Sequence, residues 1–109
     1  MAMFNPQLPV IFAALSDPTR LQVVERLTAG PASISDIARP FDMAPPSFLK
    51  HIRVLENAGL IRSEKKGRVR TVRLAPEALI WVDDWVAQHR RTWEQRLDDL
   101  GTFLAQGDN

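Results

Sequence analysis

The sequence predicts a mainly α chain that carries a two-stranded antiparallel β-hairpin and ends in one long helix, and three observations predict it. Between Pro45 and Asn57, the apolar residues Phe48, Ile52 and Leu55 fall at i, i+4 and i+7, the spacing of one helical face. Pro46, Lys50, Arg53 and Asn57 then lie on the opposite face, with Ser47 at its edge, so one side docks while the other is basic. Next, Ile61–Lys66 and Val69–Leu74 flank Gly67-Arg68 and read as a hairpin with a cationic tip. Finally, a helical pattern of about 28 residues runs from Pro76 to Phe103, well beyond the usual globular length of about 11–12. A short basic helix followed by a basic hairpin is what a winged helix-turn-helix needs to grip duplex DNA.

The first helix, over residues 5–15, includes Leu8, Val10, Ile11, Phe12, Ala13, Ala14 and Leu15 and is apolar almost all round. Such a helix is buried on more than one side, and in so short a chain a second chain can supply the cover. Ser16-Asp17-Pro18 starts the second helix, an oxygen-bearing cap followed by proline at the first helical position. That helix runs to about Ala29 with Leu21, Val24 and Leu27 inward, and Gly30-Pro31 ends it. Ser33 caps a short helix containing Ile34, Ile37 and Ala38, with Asp36 placed for a capping box. Arg39-Pro40 closes it, since a residue before proline avoids the helical region. Phe41 and Met43 pack beneath the turn, so residues 33–57 read as helix, turn, helix. Ala44 is a poor cap for the second of these, whereas Pro45 and Pro46 suit a first turn whose amides are unpaired anyway. Gly59 stops it. In the last helix, Leu79, Val82, Val86, His89, Trp93, Leu97, Leu100 and Leu104 nearly follow the 3–4 spacing of a helix–helix seam. Trp81 and Trp85 widen that apolar side, Gly101 loosens its end, and residues 105–109 read as a loose tail.

The chain has 109 residues, which suggests one domain over 1–109. It holds no cysteine, so disulfides and thiolate metal sites are excluded. No cationic run precedes an apolar one near Met1–Pro9, and no apolar run approaches a membrane span of roughly 18 residues. A cytoplasmic location is the expectation. The net charge is only +1, yet residues 39–74 hold nine cations against three acids, while residues 75–109 hold three against seven. Positive charge concentrated on the helix and hairpin is the footprint of a polyanion binder. No Ser/His/Asp constellation, Gly-rich phosphate loop or metal-ligand set is present, which argues against an enzyme and against a bound cofactor.

The run Ala14–Leu21, the segment Lys50–Leu60 and the tip Lys66-Gly67-Arg68 together resemble the ArsR family of small bacterial winged-helix repressors, over roughly residues 10–104. The resemblance implies a homodimer built from the first and last helices (residues 1–15 and 76–104). It also implies two recognition helices in successive major grooves of a palindromic operator, and an inducer or metal that weakens DNA binding. A small-molecule effector therefore joins double-stranded DNA and a second copy among the expected partners. The chain departs from the family where Leu49 stands, often a small polar residue, and where Ala44 stands, often a polar cap. The family's thiolate metal site cannot form here. A second family site, on the last helix, needs clustered histidines and acids, and this chain has only His51 and His89, on different elements.

The candidate DNA-binding residues are Pro46, Ser47, Lys50, His51, Arg53, Lys65, Lys66, Arg68 and Arg70. Arg53 can bond a guanine bidentately. Ser47 either donates to a phosphate or faces water at the helix end. The wing cations meet phosphate or the minor groove, or simply protect the hairpin edge. Leu49 either touches a thymine methyl or packs against the wing. His51 bonds a phosphate or backbone group, or is a buried structural histidine. Arg20 reaches phosphate or pairs with a nearby acid. The candidate dimer interface comprises Leu8, Ile11, Phe12, Leu79, Val82, Val86, His89, Trp93, Leu97 and Leu100. The three tryptophans read as core, with a ligand pocket as the alternative. A protein-interaction module with little DNA affinity is the competing function.

Overall fold

A computed structural model describes residues 4–107 of the chain. The elements are α1 (Gln7–Leu15), α2 (Pro18–Leu27), β1 (Ala32–Ser33), α3 (Ile34–Ala38), α4 (Pro45–Asn57), β2 (Ile61–Lys66), β3 (Val69–Leu74) and α5 (Pro76–Gly107). The chain divides into two compact units, one up to Leu79 and the other from Ile80.

Helix α1 starts two residues later than expected, with Pro6 at its N-cap and the Asn5 side chain accepting from the Gln7 amide at 2.9 Å just before it. It buries one stripe, Leu8, Ile11 and Ala14, while Val10 (45%) and Phe12 (40%) stay exposed. Helix α2 begins as expected, with Asp17 accepting from the Arg20 amide at 3.0 Å and Pro18 in the first turn. Its buried residues are Val23, Val24 and Leu27, whereas Leu21, expected inward, is 42% exposed. The inward stripe is set by positions 20, 23, 24 and 27, and Arg20 occupies its first place.

Strand β1 was not expected. It pairs Ala32 with Val72 and Ser33 with Thr71, so the sheet has three strands in the order β1-β3-β2, all antiparallel. Ser33 ends the strand and caps α3, accepting from the Asp36 amide at 3.1 Å. The Asp36 carboxylate turns to Arg39 at 2.7 Å. The helix closes at Ala38, as Arg39-Pro40 predicts, although its C-cap Arg39 keeps helical angles (φ −53°, ψ −43°) before the proline.

Helix α4 has no side-chain cap; the Ala44 carbonyl accepts from the Ser47 and Phe48 amides at 3.0 and 3.1 Å. With Pro45 and Pro46 carrying no amide proton, few donors at this end need a partner. Phe48, Ile52 and Leu55 are buried as the spacing predicts, and the Phe41 ring lies 5.6 Å from that of Phe48. At the other end Gly59 (φ +76°) donates to the Glu56 carbonyl and Leu60 to the Leu55 carbonyl, both at 3.0 Å. These are the paired bonds of a Schellman motif, which needs a left-handed residue at this place. The chain turns straight into β2, and Gly67 (φ +62°) makes the two-residue turn to β3. Ile11, Val23, Ile37, Phe48, Leu55, Leu60, Ile61 and Val72 form the centre of the core, and no polar or charged residue is buried among the described residues.

Helix α5 runs unbroken through Gly101 to Gly107. The expected loosening does not occur, because glycine weakens a helix by about 1 kcal/mol but stops one only where φ turns positive, and Gly101 does not. Residues 105–107 of the expected loose tail are thus helical; 108 and 109, like the first three residues of the expected N-terminal segment, lie outside the described residues. Within this unit the rings of Trp85 and His89 lie 4.7 Å apart and those of His89 and Trp93 5.9 Å apart. Trp81 is 38% and Trp93 45% exposed, so these two are not core in the single chain. Among the described residues no helix is long and apolar enough to cross a membrane.

Candidate nucleic-acid interface

The outward face of α4 is built as its spacing predicts. Pro46, Ser47, Lys50 and Arg53 are all exposed, on a helix whose opposite face is pinned in the core by Phe48, Ile52 and Leu55. Leu49 stands among these polar residues at 37% exposure. An open cleft of about 350 Å³ lies beside it, lined by Ile34, Leu49, Ile52, Arg53, Glu56 and Arg70. The wing reaches this cleft through Arg70 and leaves Leu49 partly open.

A hydrogen-bond chain ties the wing to α4. Arg70 Nη1 donates to Ser63 Oγ at 2.9 Å, and Ser63 Oγ donates to Glu56 Oε1 at 2.8 Å. Neither Glu56 nor Ser63 was singled out from the sequence. Ser63 carried a signal, since it is the uncharged polar residue next to apolar Ile61 in the inward alternation Ile61, Ser63, Lys65. Arg70 remains exposed, but part of its guanidinium is committed to this chain.

The register sorts the wing cations. Ile61↔Leu74, Ser63↔Val72 and Lys65↔Arg70 pair directly, as do Arg62↔Arg73, Glu64↔Thr71 and Lys66↔Val69. Alternation then puts Lys65 and Arg70 on the face that continues from the core, and Arg62, Lys66 and Arg73 on the other. A single continuous cationic surface from Lys50 to Arg73 is thus not what the pairing gives. Lys65 and Arg70 lie on the α4 side, Lys66 turns away, and Arg68 sits in the exposed turn. Two pairs set like charges opposite each other, which is unfavourable without counter-charge. For Arg62, Glu77 supplies it at 3.0 Å. The Glu77 carboxyl is held below its usual range, first by its own backbone amide and then by Arg62.

His51 is half-buried and turned toward α2. Its Nδ1 lies 3.2 Å from Arg20 Nη1 and 3.7 Å from Asp17 Oδ2. Arg20 Nε donates to the Ala14 carbonyl at 2.7 Å, and Nη2 reaches the Ala13 carbonyl at 3.5 Å. The Asp17 carboxyl is held below the usual range, chiefly by the Arg20 amide that it caps. Of the two expectations for Arg20, a phosphate or a nearby acid, its side chain makes neither bond among the described residues and is committed to the end of α1 and to His51. Its signal was its place in the inward stripe of α2.

Of the residues expected at a dimer interface, Leu8 (9%) and Ile11 (0%) belong to the chain's own core, a correction to the reading of α1 as a surface that a second chain covers. Phe12 remains on the surface. Leu79, Val82 and Val86 are half-buried, and His89, Trp93, Leu97 and Leu100 are exposed. Among the described residues no three His, Cys, Asp or Glu side chains come together to hold a metal ion.

Residues 15–64 match a family model described as a helix-turn-helix domain. The chain is similar to the transcriptional repressor SdpR of Bacillus subtilis, 36% identical over 58 residues, which is 53% of this chain and 64% of that protein. It thus matches a little under two thirds of that relative's length. A crystal structure of an ArsR family transcriptional regulator is 51% identical, with a TM-score of 0.79, over 86% of this chain and 97% of that one. The homodimeric winged helix-turn-helix DNA-binding domain Mb0332 from Mycobacterium bovis shares the fold, at 22% identity and TM-score 0.62 over 83% of this chain and 93% of that one.

Proposed function

The chain belongs to the ArsR family of transcriptional regulators, a family of regulators and not of enzymes, and from that premise we propose that it is a homodimeric repressor that reads a palindromic operator with α4. One observation carries the reading: Lys50 and Arg53 project from a helix fixed in the core, beside a wing tied to that helix through Arg70, Ser63 and Glu56. Arg53, with Leu49, would read base edges. Ser47 and Lys50 would hold phosphates, Pro46 would approach the backbone at the helix start, and Lys65, Lys66, Arg68 and Arg70 would straddle the neighbouring backbone edge-on, which suits a ribbon whose cations lie on both faces. The twofold would bring together α5 through Val82, Val86, His89, Trp93, Leu97 and Leu100, with Leu79 at its base and Phe12 from α1. Leu97 at 68% and Leu100 at 52% exposure support a partner for this strip. Fluorescence polarisation on a mixed-sequence duplex at low salt tests the reading. Salt-sensitive binding supports it.

A second reading, a protein-interaction module with little DNA affinity, is favoured by the same exposed strip and by the uncapped start of α4. Absence of duplex binding at micromolar protein would favour that one.

A further inference from the structure

The Arg20 guanidinium connects three helices. It bonds the last carbonyls of α1, stands on α2, and reaches the ring of His51 on α4 at 3.2 Å. A guanidinium only donates. The His51 Nδ1 facing it must therefore be the acceptor, which puts the ring proton on Nε2. Asp17 Oδ2, at 3.7 Å from the same Nδ1, is beyond hydrogen-bond length. The ring's far nitrogen is not enclosed, because no buried side-chain nitrogen or oxygen among the described residues lacks a partner and the ring's own bond is made at Nδ1. The His51 side chain keeps 21% of its surface. It follows the exposed Lys50 and lies one turn after the exposed Ser47, on the same strip of α4.

From this arrangement we infer that Arg20 is a positioning residue: it fixes His51 as the neutral Nε2–H tautomer, and that N–H donates to a backbone phosphate of the bound duplex. The inference rests on the DNA-binding reading above and adds to it a residue that touches no DNA. An ion pair with Asp17, 3.7 Å away, would need a cationic ring; the nearer, donor-only guanidinium is met by a neutral ring whose own donor has a set direction.

The two possibilities differ in salt dependence. A cation on a phosphate releases a counterion and steepens the slope of affinity against salt, whereas a neutral donor does not. The experiment uses the full chain and a duplex recovered from a random pool by selection on the protein. His51→Phe keeps the ring's shape without a donor and is expected to bind about tenfold more weakly per protomer, the size of one hydrogen bond to a charged acceptor, with its salt slope unchanged. His51→Gln places an amide N–H near the Nε2 position and is expected to recover most of the loss. In the free protein, nitrogen NMR should find Nδ1 bare and Nε2 protonated, and Arg20→Gln should mix the two tautomers. Unchanged affinity in a folded His51→Phe overturns the proposal, as does a shallower slope, which would mean a cationic ring. If Arg20→Gln does not fold, the wild-type spectrum still decides, because a proton on Nδ1 overturns the assignment. Failure of the wild-type protein to select any duplex would instead remove the repressor reading, and the spectrum would then stand as a test of the tautomer alone.

Discussion

Leu49 and Arg53 stand one turn apart on α4 and line the same open cleft between that helix and the wing. An apolar side chain and a guanidinium at this spacing suit adjacent bases, the first a thymine methyl and the second the O6/N7 edge of guanine. The open cleft beside Leu49 leaves room for a base edge, which suits the thymine reading better than packing on the wing. Replacing thymine by deoxyuridine at each operator position should therefore reveal one position per half-site where loss of the methyl weakens binding about fourfold, the worth of one buried methyl. Leu49→Ser should abolish that sensitivity.

Arg53→Ala should cost about 1–3 kcal/mol of operator binding and relax specificity at one base pair. Substituting Lys65, Lys66 or Arg68 should act differently, weakening selected and random duplexes alike and lowering the salt slope by about one for each phosphate left without its cation. Competition titrations with both duplexes at several salt concentrations separate the two classes.

Gly59→Ala should destabilise the fold by about 1–2 kcal/mol, the penalty of a left-handed backbone for a residue with Cβ. Gly59 has φ +76° and an added Cβ would meet nothing within 4 Å, so the cost is conformational and not steric. Thermal unfolding should show Tm lowered by about 4–8 °C per kcal/mol.

Asp17 gives a pH dependence whose sign can be worked out. Its folded pKa lies below the ordinary value of 3.8, chiefly because its carboxylate accepts from the Arg20 amide. The stabilisation is thus present above about pH 4 and lost as pH falls through the lowered folded value. Asp17→Asn, which still caps, should flatten that acid limb of the Tm profile while leaving Tm near neutrality almost unchanged.

How far the sequence was legible depended on range. Periodicity located α4 and its buried triplet because Phe48, Ile52 and Leu55 answer to a local rule, and Gly67 marked the hairpin turn for the same reason. Strand β1 was invisible: two residues, Ala32 and Ser33, are too few to alternate, and their pairing lies some forty residues away at Val72 and Thr71. Gly101 was misjudged because composition does not reveal φ. Leu8 and Ile11 were misassigned since an apolar helix does not tell which chain covers it. At the candidate site, exposed cations could be read from their phase on α4, but the links Arg20 to His51 and Arg70 through Ser63 to Glu56 join separate elements, and only the fold makes them. The wing's register, likewise, divides cations that a linear reading treats as one patch.

In the proposed complex, the exposed face of α4 and the wing bind duplex DNA through phosphate contacts made by two copies of the chain. The most direct measurement of this binding is the dissociation constant for the selected duplex across a salt series, with the stoichiometry read at saturation. Two chains per palindrome are expected, with an affinity that falls steeply and log-linearly with salt and a slope that becomes shallower when Lys50 and Arg53 are both replaced by alanine. One chain per site, or binding that salt and the double replacement leave untouched, would contradict this mode of binding.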